Sequence, residues 1–262
     1  YGHWMSVPVP DIARTDWLLV LGANPVASNG SMWTVPDFRG KARAMQARGG
    51  RLIVIDPRRS ETAALADEHH VIRPGSDAFL LAGMLHHLFA KNLVTAGAAT
   101  SLVDGLALLK DAVQPFTPAR TALRCGVPAE TIQRLATELA STPRAALYGR
   151  IGTCTQRFGT LSTWLIDVLN ILTGHLDQPG GTMFPKAAAF AANTQGKPGQ
   201  GRGVVTGRFA TRVSQAPEVM GEVPITCLAE EIETPGEGQV RALITLATNP
   251  VLSSPNGARL AR

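Results

Sequence analysis

The strongest structural signal in the chain is Trp17-Leu18-Leu19-Val20-Leu21-Gly22-Ala23-Asn24-Pro25. Its five leading apolar residues end at a glycine, which is typical of a parallel strand buried on both faces. A polar loop follows, and Asp37 then begins a predicted helix that runs to about Arg48. A second apolar run covers residues 51–55. Strand, helix and strand over this length predict a βαβ unit in a parallel sheet.

The alternation of strands and helices continues, so the predicted fold class is α/β. We predict further strands at residues 71–73, 145–148 and 240–246, and helices at 60–66, 77–91, 160–173 and 226–233, with several proline-separated helices between 100 and 140. Pro143 precedes a new strand, which predicts a first domain at residues 1–142 and a second at 143–262. A long loop is predicted in the second domain at about 177–223.

Composition narrows the choice of partners. Of the 262 residues, 45% are hydrophobic but only 5% aromatic, so the core is expected to be aliphatic. The net charge of +5 favours an anionic partner. Lysines and arginines are scattered without an aromatic–basic stripe, which argues against nucleic acid. A bound pyrophosphate fits this charge, and a basic surface without a partner is the alternative.

The positions of the cysteines and the length of the apolar segments argue against a metal site and a membrane span in this chain. Cys125, Cys154 and Cys227 are far apart and form no CxxC pair, so this chain alone predicts neither a zinc nor an iron–sulfur site. The expected compartment is reducing and cytoplasmic. Residues 161–174 are apolar but too short for a membrane span, and they contain Asp167, so we predict a buried helix and no transmembrane segment. The start at Tyr1, without a methionine, suggests an internal piece of a longer protein.

Two loops after predicted strands carry residues suited to nucleotide binding. Gly22 allows close approach of backbone to a phosphate, and the Asn24 amide can donate and accept hydrogen bonds. Asp56, at the tip of the second strand, is suited to a ribose diol or a guanine edge, with Arg58 and Arg59 near phosphate. The alternatives are an ordinary strand-end turn and a capping Asp with solvated arginines. The GxGxxG motif of ordinary NAD-binding domains is absent.

Three further loops have the same character. The sequence Arg73-Pro74-Gly75-Ser76-Asp77 combines a tight turn with a helix N-terminus, which suits an anion, although capping by Asp77 explains it equally well. Residues 149–159 and 248–256 also follow predicted strands.

The histidines occur mainly as two adjacent pairs, His69-His70 and His86-His87. The two members of each pair point to different faces of their element, so we expect structural roles and no metal ligand among them.

Taken in order, these motifs resemble the dimethyl-sulfoxide-reductase family of molybdopterin oxidoreductases. The resemblance rests on Gly22-Ala23-Asn24-Pro25, Ile55-Asp56-Pro57-Arg58 with Glu61-Thr62, Ala66-Asp67, Arg73-Pro74-Gly75-Ser76-Asp77, Tyr148-Gly149-Arg150 with Gln156, residues 169–181, and Asn249-Pro250-Val251-Leu252-Ser253. It covers nearly the whole chain and is thinnest at residues 94–128 and 186–238.

The resemblance implies a fragment of a larger multidomain enzyme, with two Rossmann-like domains that face a cofactor cleft. Each domain would bind one of two molybdopterin guanine dinucleotides, which together hold molybdenum. By motif position, the residues expected to bind the cofactor are Gly22, Ala23, Asn24, Asp56, Arg58, Gly75, Ser76, Asp77, Gly152, Gln156, Asn249 and Ser253.

The resemblance also implies two-electron redox chemistry on small substrates of the formate, nitrate or sulfoxide kind, together with a redox partner. A 4Fe–4S cluster is expected in an N-terminal part that this chain lacks. In the family, the residue that ligates molybdenum lies upstream of the first Asn-Pro segment. We therefore assign no catalytic residue and no metal ligand, and we expect the fragment alone to be inactive.

Two other functions stay open at this point. The large iron–sulfur subunit of respiratory NADH dehydrogenase shares this architecture but acts as an electron conduit without molybdenum. The retained Asp56, Arg58, Asp77, Gln156 and Asn249 favour a live cofactor site instead. A nucleotide-binding module without a redox role explains the strand-end loops but not the Asn249-Pro250 segment.

Overall fold

A four-stranded parallel sheet organises the first part of the chain in the computed structural model, which describes residues 6–185, 207–219 and 222–262. The strands of this sheet are β2 (Trp17–Leu21), β3 (Arg51–Ile55), β4 (Glu68–His70) and β5 (Ala145–Gly149). Their spatial order is β4-β3-β2-β5. Two short strands, β1 (Val9–Pro10) and β6 (Thr182–Met183), form a separate antiparallel pair. The α/β class and the strands β2 and β3 are confirmed.

Helices cover both faces of the sheet. They are α1 (Pro25–Ser28), α2 (Phe38–Ala47), α3 (Glu61–Leu65), α4 (Asp77–Ala90), α5 (Leu106–Val113), α6 (Pro118–Cys125), α7 (Ala129–Ser141), α8 (Ile151–Cys154) and α9 (Gly159–Leu172), with 3-10 turns at Ser31–Trp33 and Gly97–Leu102. Alternate residues of β2 enter opposite cores: Leu19 packs with α4, α7 and α9, and Leu18 packs with α2 and α3. The predicted alternation of strands and helices therefore produces three layers.

The predicted helix starts at Asp37 and Ser60 are confirmed by their caps. The Asp37 carboxylate accepts a hydrogen bond from the Gly40 amide at 3.0 Å, and the Ser60 hydroxyl oxygen accepts one from the Ala63 amide at 3.2 Å. Both bonds satisfy backbone donors that the first turn of a helix leaves unpaired.

The third strand was predicted at residues 71–73, and this prediction is wrong. The strand is Glu68–His70, which pairs with Ile53–Ile55. The Arg73 amide instead donates to the Cys125 carbonyl at 2.8 Å, at the end of α6. Hydrogen bonding to a helix end, rather than to β3, therefore takes residues 71–73 out of the sheet.

The strand predicted to begin a second domain lies in the first sheet. Leu147 of β5 is in register with Leu19 of β2, and the two strands are parallel. The chain divides into two compact units at Ala192, so the predicted boundary at residue 142 falls inside the first unit. Since a buried parallel strand needs a neighbour on its open edge, β5 completes the sheet that β2 would otherwise leave open.

The second unit contains α10 (Leu228–Glu233), α11 (Pro250–Ser253) and α12 (Gly257–Leu260), preceded by a 3-10 turn at Ile225–Cys227. The predicted helix at 226–233 is thus confirmed. The predicted strand at 240–246 is wrong, because these residues form no strand and Ile244 is 95% exposed. Within the described part of this unit, no strand pairs with them. Much of the predicted long loop, at 186–206 and 220–221, lies outside the described residues.

None of the helices among the described residues is long and apolar enough to cross a membrane.

Asn170 of α9 completes the open edge of the sheet. Its amide oxygen accepts a bond from the Leu147 amide at 3.0 Å, and its amide nitrogen donates to the Leu147 carbonyl at 2.8 Å. The residue is 1% exposed. A side chain thus supplies the two bonds that a further strand would have made.

We expect Asn170→Leu to lower the free energy of unfolding by about 2–4 kcal/mol, because it leaves two buried backbone groups unpaired. Urea denaturation measures the change. Ser162→Ala on the same helix is the matched control, since this hydroxyl is buried and has no hydrogen-bond partner in the described structure. Removing it should leave the free energy of unfolding unchanged or raise it. Equal effects of the two substitutions would contradict the role of Asn170.

His175 makes stability depend on pH. The ring is 3% exposed and lies between the Thr173 hydroxyl and the Thr142 carbonyl, each at 2.8 Å. Burial lowers the pKa of His175 below its ordinary value of 6.5, although the Thr142 carbonyl acts in the opposite direction. The folded state therefore favours the neutral ring.

The stability that this neutral ring contributes should be fully present above about pH 6.5, and it should be lost as the pH falls toward the lowered pKa. We expect the unfolding free energy of the parent to decline by at most about 1.4 kcal/mol per pH unit from this single proton. His175→Gln should lack that part of the decline. Parallel pH profiles of parent and variant in urea denaturation would contradict the assignment.

Candidate functional site

The carboxyl edge of the sheet contains a topological switch point. From the central strand β2 the chain continues to β3 and β4 on one side, and only later to β5 on the other. Ligands of open parallel sheets bind outside the carboxyl ends of the strands at such a point. The predicted site residues of the first unit all follow these strands: Gly22, Ala23, Asn24, Asp56, Arg58, Gly75, Ser76, Asp77, Gly152 and Gln156.

Two glycines join the loops on either side of the switch point. The Gly152 amide donates to the Gly22 carbonyl at 2.9 Å. A β-carbon on Gly22 would lie 2.9 Å from the Thr153 nitrogen, and one on Gly152 would lie 2.9 Å from the Gly22 α-carbon. Gly22 also has a φ of +50°. The absence of a β-carbon at both positions therefore allows the loops after β2 and β5 to touch.

The amide of Asn24 is occupied by the chain itself. Its nitrogen donates to Glu61 Oε2 at 2.7 Å, and its oxygen accepts from the Thr62 hydroxyl at 2.7 Å and from the Thr62 amide at 3.2 Å. Asn24 thus connects the loop after β2 with α3. Reasoning from the sequence missed these partners, because no local spacing rule links positions that are 38 residues apart.

Gln156 and Asp77 meet across the edge. Gln156 Nε2 donates to Asp77 Oδ2 at 2.6 Å, and Gly75 lies beside the Gln156 amide oxygen. Asp77 is 5% exposed. Burial raises the pKa of its carboxyl group, the bond from Gln156 acts against this, and the charge of Asp56 adds to the increase. The structure therefore brings together predicted site residues from two distant segments.

Asp56, Arg58 and Ser76 complete this edge. Asp56 Oδ1 accepts from the Arg58 amide at 2.8 Å, and the largely exposed Arg58 guanidinium lies 3.6 Å from the Glu61 carboxylate. Ser76 is the N-cap residue of α4 by position, but its hydroxyl donates to the Arg73 carbonyl at 2.5 Å. The Arg58 side chain is therefore exposed at this edge, and the Asp56 carboxylate is partly buried.

A loop of the second unit has the same local structure as the loop after β2. Leu246-Ala247-Thr248-Asn249-Pro250-Val251-Leu252-Ser253 matches Leu21-Gly22-Ala23-Asn24-Pro25-Val26-Ala27-Ser28. Ala247 has a φ of +53°, against +50° for Gly22. The Ser253 hydroxyl donates to the Asn249 carbonyl at 2.7 Å, and the Ser28 hydroxyl donates to the Asn24 carbonyl at 3.1 Å. The predicted residues Asn249 and Ser253 thus belong to a second copy of one turn.

Comparisons with known proteins identify the family of this chain. A family model described as molybdopterin oxidoreductase matches residues 1–262. The chain belongs to the molybdopterin oxidoreductase family. The resemblance found in the sequence is therefore confirmed.

Trimethylamine-N-oxide reductase of Haemophilus influenzae is 30% identical over 187 residues, which are 68% of this chain and 22% of that protein. Nitrate reductase of Shewanella frigidimarina is 25% identical over 271 residues, which cover 96% of this chain and 27% of that protein. The solved structure of acetylene hydratase from Pelobacter acetylenicus has a TM-score of 0.56 and 26% identity, over 64% of this chain and 23% of that one. The chain spans about a quarter of the length of these relatives.

The donor and acceptor groups at the edge fit the molybdopterin cofactor of the family. Gln156 Oε1 and Arg150 Nε are buried and have no hydrogen-bond partner in the described structure. An unpaired buried acceptor and an unpaired buried donor are costly unless a ligand completes them. A pterin carries N–H donors and ring acceptors, and its phosphate is anionic. Among the described residues, no group of three or more His, Cys, Asp or Glu side chains is placed to hold a metal ion.

Tyr148 and Trp33 pack together in the core that contains Leu18. Reasoning from the sequence placed Tyr148 in a family motif but did not find its contact with Trp33. The Tyr148 hydroxyl donates to the Gly30 carbonyl, and the Tyr148 and Trp33 rings lie 5.0 Å apart. Burial raises the pKa of Tyr148 to about 12, so the hydroxyl keeps its proton at neutral pH. The pair holds the segment after α1 against the sheet.

We expect Gly22→Ala to lower the free energy of unfolding by about 3 kcal/mol, because left-handed strain adds to the clash with residues 152–153. Gly49→Ala is the matched control, since Gly49 has a φ of +88° but no atom within 4 Å of an added β-carbon. Strain alone should cost about 1 kcal/mol there. Thermal or urea denaturation compares them, and a control as destabilised as Gly22→Ala would contradict the close approach.

Proposed function

We propose that this chain is the cofactor-binding part of a molybdenum-dependent oxidoreductase that performs two-electron chemistry on small substrates of the formate, nitrate or sulfoxide kind. The single observation that supports this most directly is the switch-point edge, where Gln156 and Asp77 meet in a member of the molybdopterin oxidoreductase family. The named activities of the trimethylamine-N-oxide and nitrate reductase relatives support the reaction class.

We propose molybdopterin guanine dinucleotide as the form of the cofactor, with one nucleotide on each unit. On the first unit, Gln156 and Asp77 would hold N–H groups, Asp56 would accept from guanosine, and Arg58 would pair with phosphate. Gly22, Ala23, Asn24, Gly75, Ser76 and Gly152 would shape the loops around it. On the second unit, Asn249 and Ser253 would do so, and their repeated turn supports this. When bound, the cofactor supplies a metal that accepts and returns two electrons.

Further parts of the whole protein are also proposals. We propose that the second unit becomes a Rossmann-like domain in the longer protein, because Leu243, Ile244 and Leu246 are exposed and no strand pairs with residues 240–246 within the described chain. The metal ligand, a 4Fe–4S cluster and a redox partner would come from outside this chain. A cytoplasmic location is supported by Cys125, Cys154 and Cys227, which are free thiols.

Metal and cofactor analysis of the full-length protein tests the function. We expect molybdenum or tungsten together with a pterin, and release of GMP on acid hydrolysis. A purified protein with neither metal nor pterin would reject the proposal and would favour the electron-transfer alternative of the NADH dehydrogenase type.

Gln156→Ala should weaken cofactor retention by about tenfold, because a hydrogen bond to a buried partner is lost on each side of the amide. The measurement is the pterin content of the full-length variant after dialysis against a fixed volume. Gln133→Ala is the matched control, since Gln133 is an exposed residue of α7. Equal retention by the two variants would remove Gln156 from the site.

A further inference from the structure

Three bonds use three of the four hydrogen-bonding positions of the Asn24 amide, and they all lead to α3. Glu61 accepts from its nitrogen, and Thr62 donates twice to its oxygen. The Thr62 hydroxyl also accepts from the Val26 amide at 3.1 Å, so it bridges two residues of the loop. Thr62 is fully buried at 0% exposure. Both acceptor positions of this amide are therefore occupied by the chain, and a single N–H is left for a ligand.

We propose that Glu61 and Thr62 are positioning residues that lock Asn24, so that the main contribution of Asn24 to cofactor binding is to place the loop. The inference rests on the proposed function only for the identity of the ligand. The three bonds define an Asn24 clamp, which consists of Asn24, Glu61 and Thr62.

The clamp sets where the loop lies rather than how it is folded. The matching turn at Asn249 begins with a similar backbone conformation, with φ −123° and ψ 93° against φ −124° and ψ 70° at Asn24. Among the described residues, no hydrogen bond of the Asn249 side chain is found, so the turn forms without a clamp. The clamp instead ties the loop after β2 to α3, which directly follows Asp56 and Arg58. It thereby fixes the distance between the two loops that would share a nucleotide.

A double-mutant cycle in the full-length protein prepared without cofactor tests the clamp, with GDP as the probe in calorimetric titration. Thr62→Val should weaken GDP binding by about tenfold, and Thr62→Ser should restore it to within about twofold of the parent. Asn24→Ala should cost as much as Thr62→Val, and the double variant should cost no more than either alone. Additive losses, or a Thr62→Val variant that binds like the parent, would overturn the proposal.

Thr121→Val is the matched control. Thr121 is also a buried threonine on a short helix, at 1% exposure, but it lies on α6 in the other core. This variant should bind GDP like the parent. A tenfold loss there would show that any buried hydroxyl has the same effect, and it would overturn the specific role of Thr62.

Hydrogen–deuterium exchange of the peptide at residues 24–28 gives a readout that needs no ligand. Thr62→Val and the surface variant Glu61→Ala should both speed exchange several-fold, and Thr62→Ser should not. If the parent does not bind GDP, the proposed nucleotide site is rejected. The exchange rates of residues 24–28 still test the clamp, because they do not depend on a ligand. Unchanged exchange in Thr62→Val and Glu61→Ala would overturn the clamp whatever the ligand.

Discussion

Gly22 and Gly152 approach each other so closely that neither position has room for a β-carbon. This contact joins the loops after β2 and β5, at the point where the order of strands reverses along the sheet. Because the β5 loop is held there, Gln156 lies within hydrogen-bonding distance of Asp77. The hydrogen bond between Gln156 and Asp77 therefore depends on glycine at positions 22 and 152, where a side chain would keep the two loops apart.

The polar groups at this edge divide into those that the chain satisfies and those that it leaves open. The oxygen of the Asn24 amide is fully bonded to α3, and such internal bonds stabilise the loop before any ligand arrives. Gln156 Oε1 and Arg150 Nε are buried without a partner in the described residues. Natural proteins retain such groups mainly where a ligand, water or ion completes them. The division separates the residues that build the site from those available to a cofactor.

The second unit shows that the turn after β2 forms from local sequence alone. Its turn at 246–253 reproduces the turn after β2, down to the positive φ of Ala247, which is a costly conformation for a residue with a β-carbon. The apolar residues before that turn nevertheless form no strand. The backbone groups of a turn form hydrogen bonds with each other, whereas those of a strand need a neighbouring strand. The same sequence pattern therefore yields a complete edge in one unit and a turn alone in the other.

Patterns within a few residues were sufficient to predict β2, β3 and the helix starts at Asp37 and Ser60, because apolar runs and capping side chains act over one turn or one strand. Tertiary structure decided that residues 145–149 join the first sheet and that 240–246 stay unpaired, since an apolar run records burial but not the partner that buries it. It also decided the pairings of Asn24 with Thr62 and of Gln156 with Asp77, which are 38 and 79 residues apart. Such pairs have no local signature, because only the packing of the sheet and its helices brings them within hydrogen-bonding distance.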